Sequence, residues 1–194
     1  MVKKQRREQQ ATVAKELSDI LVVNGVMTES EGVAMRHEFE QSSQDNVVDF
    51  LIDEGIVSVS DMLVALSQYY QVPAFDVVGH FFERHYLTMF PKGFLLRSAI
   101  VPLEQDGNIM VIVASHPNNQ DLLAEIGQYV SYDIQFRVGI AQDICDAVKE
   151  YYEESLTQEE QDAENDDNKE KERSADRVIG QDPEDLGWDE EYGE

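Results

Sequence analysis

Apolar positions between residues 10 and 71 recur at helical spacing, and they stop and restart at glycines. Residues 46–77 show the pattern best. Phe50, Leu51 and Ile52 form the apolar end of one helix, and Gly55 closes it, because glycine reaches the left-handed conformation without a Cβ clash. Ile56 and Val57 follow as an apolar step. Ser58 is placed to cap the next helix, with Asp61 three residues on as a short-armed version of the capping box. Met62, Ala65, Leu66 and Tyr69 then recur at helical spacing until Pro73, which cannot donate a helix hydrogen bond. The spacing predicts helices over 10–23, 29–41, 45–54 and 59–71.

The same pattern occurs twice. ILVVNGVMTES (20–30) aligns with FLIDEGIVSVS (50–60): Leu21 matches Leu51, Val22 matches Ile52, Gly25 matches Gly55 and Thr28 matches Ser58. Two helix–Gly–helix units are an internal duplication. Two copies are too few for a solenoid, so they predict a small helical subdomain.

After residue 81 the periodicity changes. FFERHYLTMFPKGFLLRS (81–98) predicts one or two short helices broken at Pro91 and Gly93. AIVPLE (99–104) and NIMVIVAS (108–115) are β-branched runs joined by a Gln-Asp-Gly-Asn turn, a strong hairpin signal. A helix over 119–129, a third strand over 133–139 and a last helix over 141–153 complete the series. The fold class is therefore α+β: a helical N-terminal subdomain with a duplicated helix–Gly–helix unit, packed on a small three-stranded sheet with helices. The boundaries this implies are a basic arm at 1–11, a helical subdomain at 12–80, an α+β subdomain at 81–152 and a tail at 153–194.

The duplicated segment, Pro73 and Asp76, the IVPL strand (100–103), VIVASHPNN (111–119) and the closing IAQDICDAVKEYY (140–152) together resemble the N-terminal domain of type II secretion and type IV pilus assembly ATPases. The resemblance spans roughly residues 12–152 and rests on element order more than on any single motif. It implies a domain that docks on the cytoplasmic part of an inner-membrane platform protein.

Charge alters the picture mainly at the C-terminus. The formal net charge is −25, and residues 153–194 hold 18 acidic and four basic side chains, so the tail supplies more than half of it. Such a segment, poor in large apolar residues, is expected to be disordered, because it cannot bury enough surface to offset its ordering entropy. Its end, DPEDLGWDEEYGE, sets Leu186, the single Trp188 and Tyr192 among acids. That is the pattern of a docking peptide, and equally of a solubilising tail. A surface this acidic disfavours nucleic acid and anionic lipid. No run of about 18 apolar residues exists to cross a membrane, and MVKKQRREQQ lacks the apolar segment of a signal peptide. Cys145 is the only cysteine, which suits a reducing compartment.

The residues of catalysis are hard to find. No Walker A loop occurs, so the phosphate cradle of the ATPase motor is missing from the sequence and no nucleotide hydrolysis is expected. His80 and His85 lack the spacing that puts two ligands on one helical face, and no metal or cofactor is expected. Ser115-His116 resembles a nucleophile pair, but neighbours on an extended chain point to opposite faces. Paired carboxylates such as Asp53-Glu54 are what any acidic surface would show.

Some domains of the resembled family bind cyclic di-GMP through a duplicated motif of the form R-L-G-x-x-L-V-x-x-G. On this sequence its two copies fall on 16–25 and 46–55. Glu16 and Asn46 stand at the arginine positions, and Ser18 and Val48 at the first glycine. A dianion would meet Glu16 where it needs a cation, so the expectation is that cyclic di-GMP binds weakly or not at all. If it did bind, Arg36, Arg84 and Arg97 would be the first residues to suspect. The leading expectation is a non-catalytic cytoplasmic adaptor or regulatory subunit of a bacterial secretion or pilus machine, peripheral at the inner membrane through a protein partner. Its contacts would be Leu186, Trp188 and Tyr192 in the tail, or a helical face around Phe50, Met62 and Tyr69. The alternatives are a sensor responding to a cyclic dinucleotide and a tail-led module for a basic protein.

Overall fold

The computed structural model describes residues 2–153. Four helices come first: α1 (Val2–Val23), α2 (Glu29–Gln41), α3 (Val47–Asp53) and α4 (Val59–Tyr70). Both junctions of the duplication end in the same hydrogen-bonded motif. After α1, Gly25 N–H donates to the Val22 carbonyl (3.0 Å) and Val26 N–H to that of Leu21 (2.9 Å). After α3, Gly55 N–H donates to Ile52 (3.0 Å) and Ile56 N–H to Leu51 (3.0 Å). Gly25 and Gly55 have φ of 73° and 65°, the left-handed geometry this double bond requires. Thr28 and Ser58 then cap α2 and α4 through their side chains, as the spacing predicts.

The two copies share one core. Leu17 and Leu21 from the first and Val47 and Leu51 from the second are fully buried, joined by Met35, Phe39, Phe50, Met62 and Leu66. Burying each large aliphatic contributes about 1.5–3 kcal/mol, so this cluster rather than helix propensity holds the short α3 in place. Helix α1 starts at Val2, well before residue 10. In the basic segment, Arg7 donates to the carbonyl of Ser42 at the end of α2 (2.9 Å).

Two short helices follow, α5 (Arg84–Leu87) and α6 (Lys92–Ser98). Pro91 breaks between them as predicted, at the N-cap of α6. Gly93 does not break anything; it lies inside α6. Strands β1 (Ile100–Asp106) and β2 (Ile109–Ala114) form an antiparallel hairpin turning at Gly107 (φ 57°), with a register shift between Pro102 and Glu104. Pro102 is tolerated because β1 is an edge strand of the sheet, whose order is β1-β2-β3. Helix α7 (Gln120–Ile126) returns the chain so that β3 (Asp133–Val138) lies parallel to β2. The central strand β2 is buried along most of its length, which is why IMVIVA shows no alternation. Residues 141–153 form the last helix, α8.

The sheet and the helical layer are stitched together by backbone. Phe75 N–H donates to the Val138 carbonyl and Val138 N–H to that of Pro73, both at 2.9 Å, and Ala74 bridges Val138 in parallel. Val138 and Ile140 join the helical core directly. Residues 2–151 therefore form one compact unit. Among the described residues, no helix is long and apolar enough to cross a membrane.

Candidate functional site

At the carboxyl end of β2 the chain leaves the sheet through Ser115-His116-Pro117-Asn118-Asn119 before entering α7. In open sheets containing parallel strands, this is where ligands are commonly received. A cavity of about 240 Å³ opens there. Its walls come from five places: Val13 and its neighbours on α1, Asn46 and Val48 at the start of α3, Tyr69 and Tyr70 at the end of α4, the Ser115–Asn118 turn, and Gly139 and Ala141 after β3. A second, more open depression adjoins it, lined by Glu16, Asp19 and Ile20 of α1 with Gln68, Tyr69 and Asn118.

Tyr69 and Asn118 belong to both walls. Asn46, which opens the second copy of the duplication, faces one cavity; Glu16, at the matching position of the first copy, faces the other. The duplication thus delivers two equivalent positions to two neighbouring hollows. Tyr69 meets Tyr70 edge-on, with ring centroids 4.7 Å apart. Burial first, then the Glu16 carboxylate, pushes the Tyr69 hydroxyl upward, and burial pushes Tyr70 to about 12. Both rings are neutral at physiological pH and present flat or edge surfaces to a ligand.

Ser115 and His116 depart from the sequence expectation. The Ser115 hydroxyl lies 2.8 Å from His116 Nδ1. The strand ends at Ala114 and the chain bends at Ser115, so the alternation of an extended strand no longer applies. Ser115 is buried, and the exposed His116 ring packs toward Tyr70 at 6.4 Å between centroids.

Other predicted residues fall elsewhere. Phe50 and Met62 are 5 % and 0 % exposed: they are core, so the helical docking face suggested for them does not exist as an open surface, and only Tyr69 of that trio reaches a cavity. The helical period that singled them out marks the buried face as readily as a binding face. Leu186, Trp188 and Tyr192, and the predicted disordered tail they belong to, lie outside the described residues apart from Glu153. Arg36 reaches back from α2 to donate to the Ser18 hydroxyl (2.5 Å) and lies 3.9 Å from Asp19. Arg97 pairs with Glu125 at 3.7 Å over the Phe94 ring. Neither these nor Arg84 lines the two cavities. Among the described residues, no group of three or more His, Cys, Asp or Glu could hold a metal ion. The sequence pattern missed His116 and Asn118 as cavity residues; the signal that could have found them is a polar turn between a buried strand and a helix.

Residues 82–158 match the model of the MshEN domain family. The chain is 22 % identical over 138 residues to the type IV pilus assembly ATPase PilB of Myxococcus xanthus (strain DK1622), a match covering 71 % of this chain and 24 % of that protein. The chain thus spans about a quarter of the length of the curated relative it matches. Among solved structures, MshE with cdg (cyclic di-GMP) shares the fold with a TM-score of 0.57 at 21 % identity, covering 70 % of this chain and 98 % of that one. The N-terminal domain of XpsE aligns with a TM-score of 0.49 at 15 % identity, over 74 % of this chain and 94 % of that one. The resemblance to the N-terminal domains of secretion and pilus assembly ATPases holds.

One expectation is overturned. Glu16 and Asn46 had argued against cyclic di-GMP, yet the fold is shared with MshE solved with cdg, and residues 82–158 match the MshEN domain family. Two exchanged side chains do not remove a cavity built by several elements.

Proposed function

We propose that this chain is a non-catalytic regulatory module of a bacterial secretion or pilus machine, acting in the cytoplasm and responding to a cyclic dinucleotide bound across the two adjoining cavities. The observation that carries the reading is the convergence of the duplicated unit: its two matching positions, Glu16 and Asn46, line neighbouring hollows that share Tyr69 and Asn118. A ligand with two like halves suits two like positions. Purine rings can stack on Tyr69 and Tyr70, while Asn46, Asn118 and Gln68 supply amide donors and acceptors for base edges and phosphates. Ligand occupancy would bridge α1, α3, α4 and the turn after β2, so it can bias how the helical layer meets the sheet.

The test is calorimetric titration with cyclic di-GMP and cyclic di-AMP. Cyclic dinucleotide should bind, and Tyr69→Ala should weaken it by about tenfold through lost stacking. No heat at millimolar ligand, or equal affinity in Tyr69→Ala, sinks the reading. A tail that docks on a basic surface through Leu186, Trp188 and Tyr192 would supply the adaptor function alongside. Removing those residues should then lower partner recovery and leave ligand affinity unchanged.

A further inference from the structure

The two hollows differ in chemistry, although the duplication places matching residues in them. In the first, Asn46 is committed to the fold: its Oδ1 caps α3 by accepting from the Val48 N–H at 3.0 Å. In the second, the matching residue is Glu16, an exposed carboxylate on the wall. Leu17, fully buried beside it in sequence, pins that part of α1 to the core. Asp19, a turn further on, lies 3.9 Å from Arg36, which offsets its charge. Tyr69 supplies the adjoining aromatic wall. Burial first, then Glu16, raises the Tyr69 hydroxyl, so the carboxylate lies near the phenol end of that ring.

A carboxylate accepts hydrogen bonds, donates none and repels phosphate. The part of a cyclic dinucleotide that suits it is a base edge with adjacent N–H donors. Guanine has such an edge, with N1–H and the N2 amino group side by side. Adenine presents a bare N1 acceptor beside its N6 amino group, and a carboxylate opposes the bare nitrogen.

We infer that Glu16 is the specificity-determining residue of this site: its two carboxylate oxygens accept from N1–H and N2–H of one guanine, selecting cyclic di-GMP over cyclic di-AMP. The inference rests on the cyclic-dinucleotide reading above. Stacking on Tyr69 brings a base alongside the carboxylate, where the hydrogen bonds are charge-assisted. The same charge that opposes an anion then orients the ligand, with a base toward Glu16 and the phosphates away from it. The matching position offers no such pair of acceptors, because Asn46 has one side-chain oxygen and the cap uses it.

Calorimetric titration of wild type and Glu16→Gln, each with cyclic di-GMP and with cyclic di-AMP, tests this. Wild type should favour cyclic di-GMP by about tenfold, the discrimination expected of a two-point contact to a base edge. In Glu16→Gln the new amide donates to adenine N1 and accepts from N6, so cyclic di-GMP should weaken and cyclic di-AMP tighten. The preference should vanish or reverse. Three outcomes overturn the role of Glu16 and leave the cyclic-dinucleotide site standing: equal wild-type affinity for the two ligands, a preference that survives Glu16→Gln, or tighter binding of both ligands by that variant, which marks a carboxylate that only repels phosphate. Absence of binding of either ligand to both proteins overturns the site as well.

Discussion

The two copies of the helix–Gly–helix unit agree where they build structure and differ where they face solvent or a cavity. Leu21 and Leu51 are both fully buried, and the glycine turns use the same pair of hydrogen bonds within about 0.1 Å. The caps already diverge. Glu31 is long enough to reach back, accepting from the Thr28 N–H at 2.7 Å and the hydroxyl at 2.8 Å. Asp61 is one carbon shorter and takes only the Ser58 hydroxyl, at 2.6 Å, on its side chain. Farther from the core the copies part entirely. Ser18 is buried under Arg36, whereas its counterpart Val48 lines a cavity. Asp19 is exposed and near Arg36, whereas Asp49 is half-buried with one carboxylate oxygen that has no hydrogen-bond partner. Duplication preserved the frame and freed the outer positions to take on separate work.

The equivalence of the copies can be broken most severely in the core. Leu21→Ala and Leu51→Ala should each cost about 3 kcal/mol by urea denaturation, within a range of about 2–5 kcal/mol set by how far each cavity collapses. A much smaller loss at Leu51 would show that the second copy, with its short α3, is held by its surroundings instead of by its own leucine. Next come the glycines. A Cβ added at Gly25 or Gly55 meets nothing within 4 Å, so the cost of either alanine is conformational alone. Both should lose about 1–2 kcal/mol, equally.

The caps follow. Thr28→Ala and Ser58→Ala should each cost about 1 kcal/mol, with Thr28 the more costly because it ends a reciprocal pair. The Glu31 carboxyl is held below its usual range, first by the Thr28 backbone N–H and then by its hydroxyl. A depressed folded pKa gives stabilisation that is present above the unfolded value and lost as pH falls through the folded one. The stability gap between wild type and Glu31→Gln should therefore close on acidification below about pH 4.5. The smallest effect concerns Asp19 and Asp49. Burial first, then the charges of Asp53 and Asp143, raise the Asp49 carboxyl. A raised carboxyl destabilises the fold above its folded pKa, and the penalty fades as pH falls toward the unfolded value. Asp49→Asn should raise the melting temperature slightly at pH 7, by an amount solvent screening keeps small, and not at pH 4. Asp19→Asn should change nothing measurable.

Local signals carried most of the fold. Gly25, Gly55, Thr28, Ser58 and the Asp-Gly turn each act over a few residues, so their positions in the sequence suffice to place four helices and a hairpin. Contacts between distant segments were not legible in that way. The pairing of β3 parallel to β2, the burial of Asp49 and the meeting of Asn46 with Tyr69 and His116 depend on which surfaces are brought together. The helical period marked Phe50 and Met62 as one face without saying that α1 and β3 cover it. The same limit hid the cavity: Glu16 and Asn46 could be aligned from sequence, but the aromatic and polar wall they share comes from α4 and the turn after β2.

The pairing of Pro73–Phe75 with Val138 has a consequence for how the chain acquires its shape. The helical layer and the β1–β2 hairpin can each begin from near neighbours, but this pairing joins residues far apart along the chain and closes a long loop. Loop-closure entropy makes such contacts late and slow. Unfolding the sheet would also release the exit of α4, on which Tyr69 and Tyr70 sit. Refolding and unfolding should then follow single exponentials by both circular dichroism and tyrosine fluorescence, with a ligand that spans the cavities slowing the unfolding limb alone.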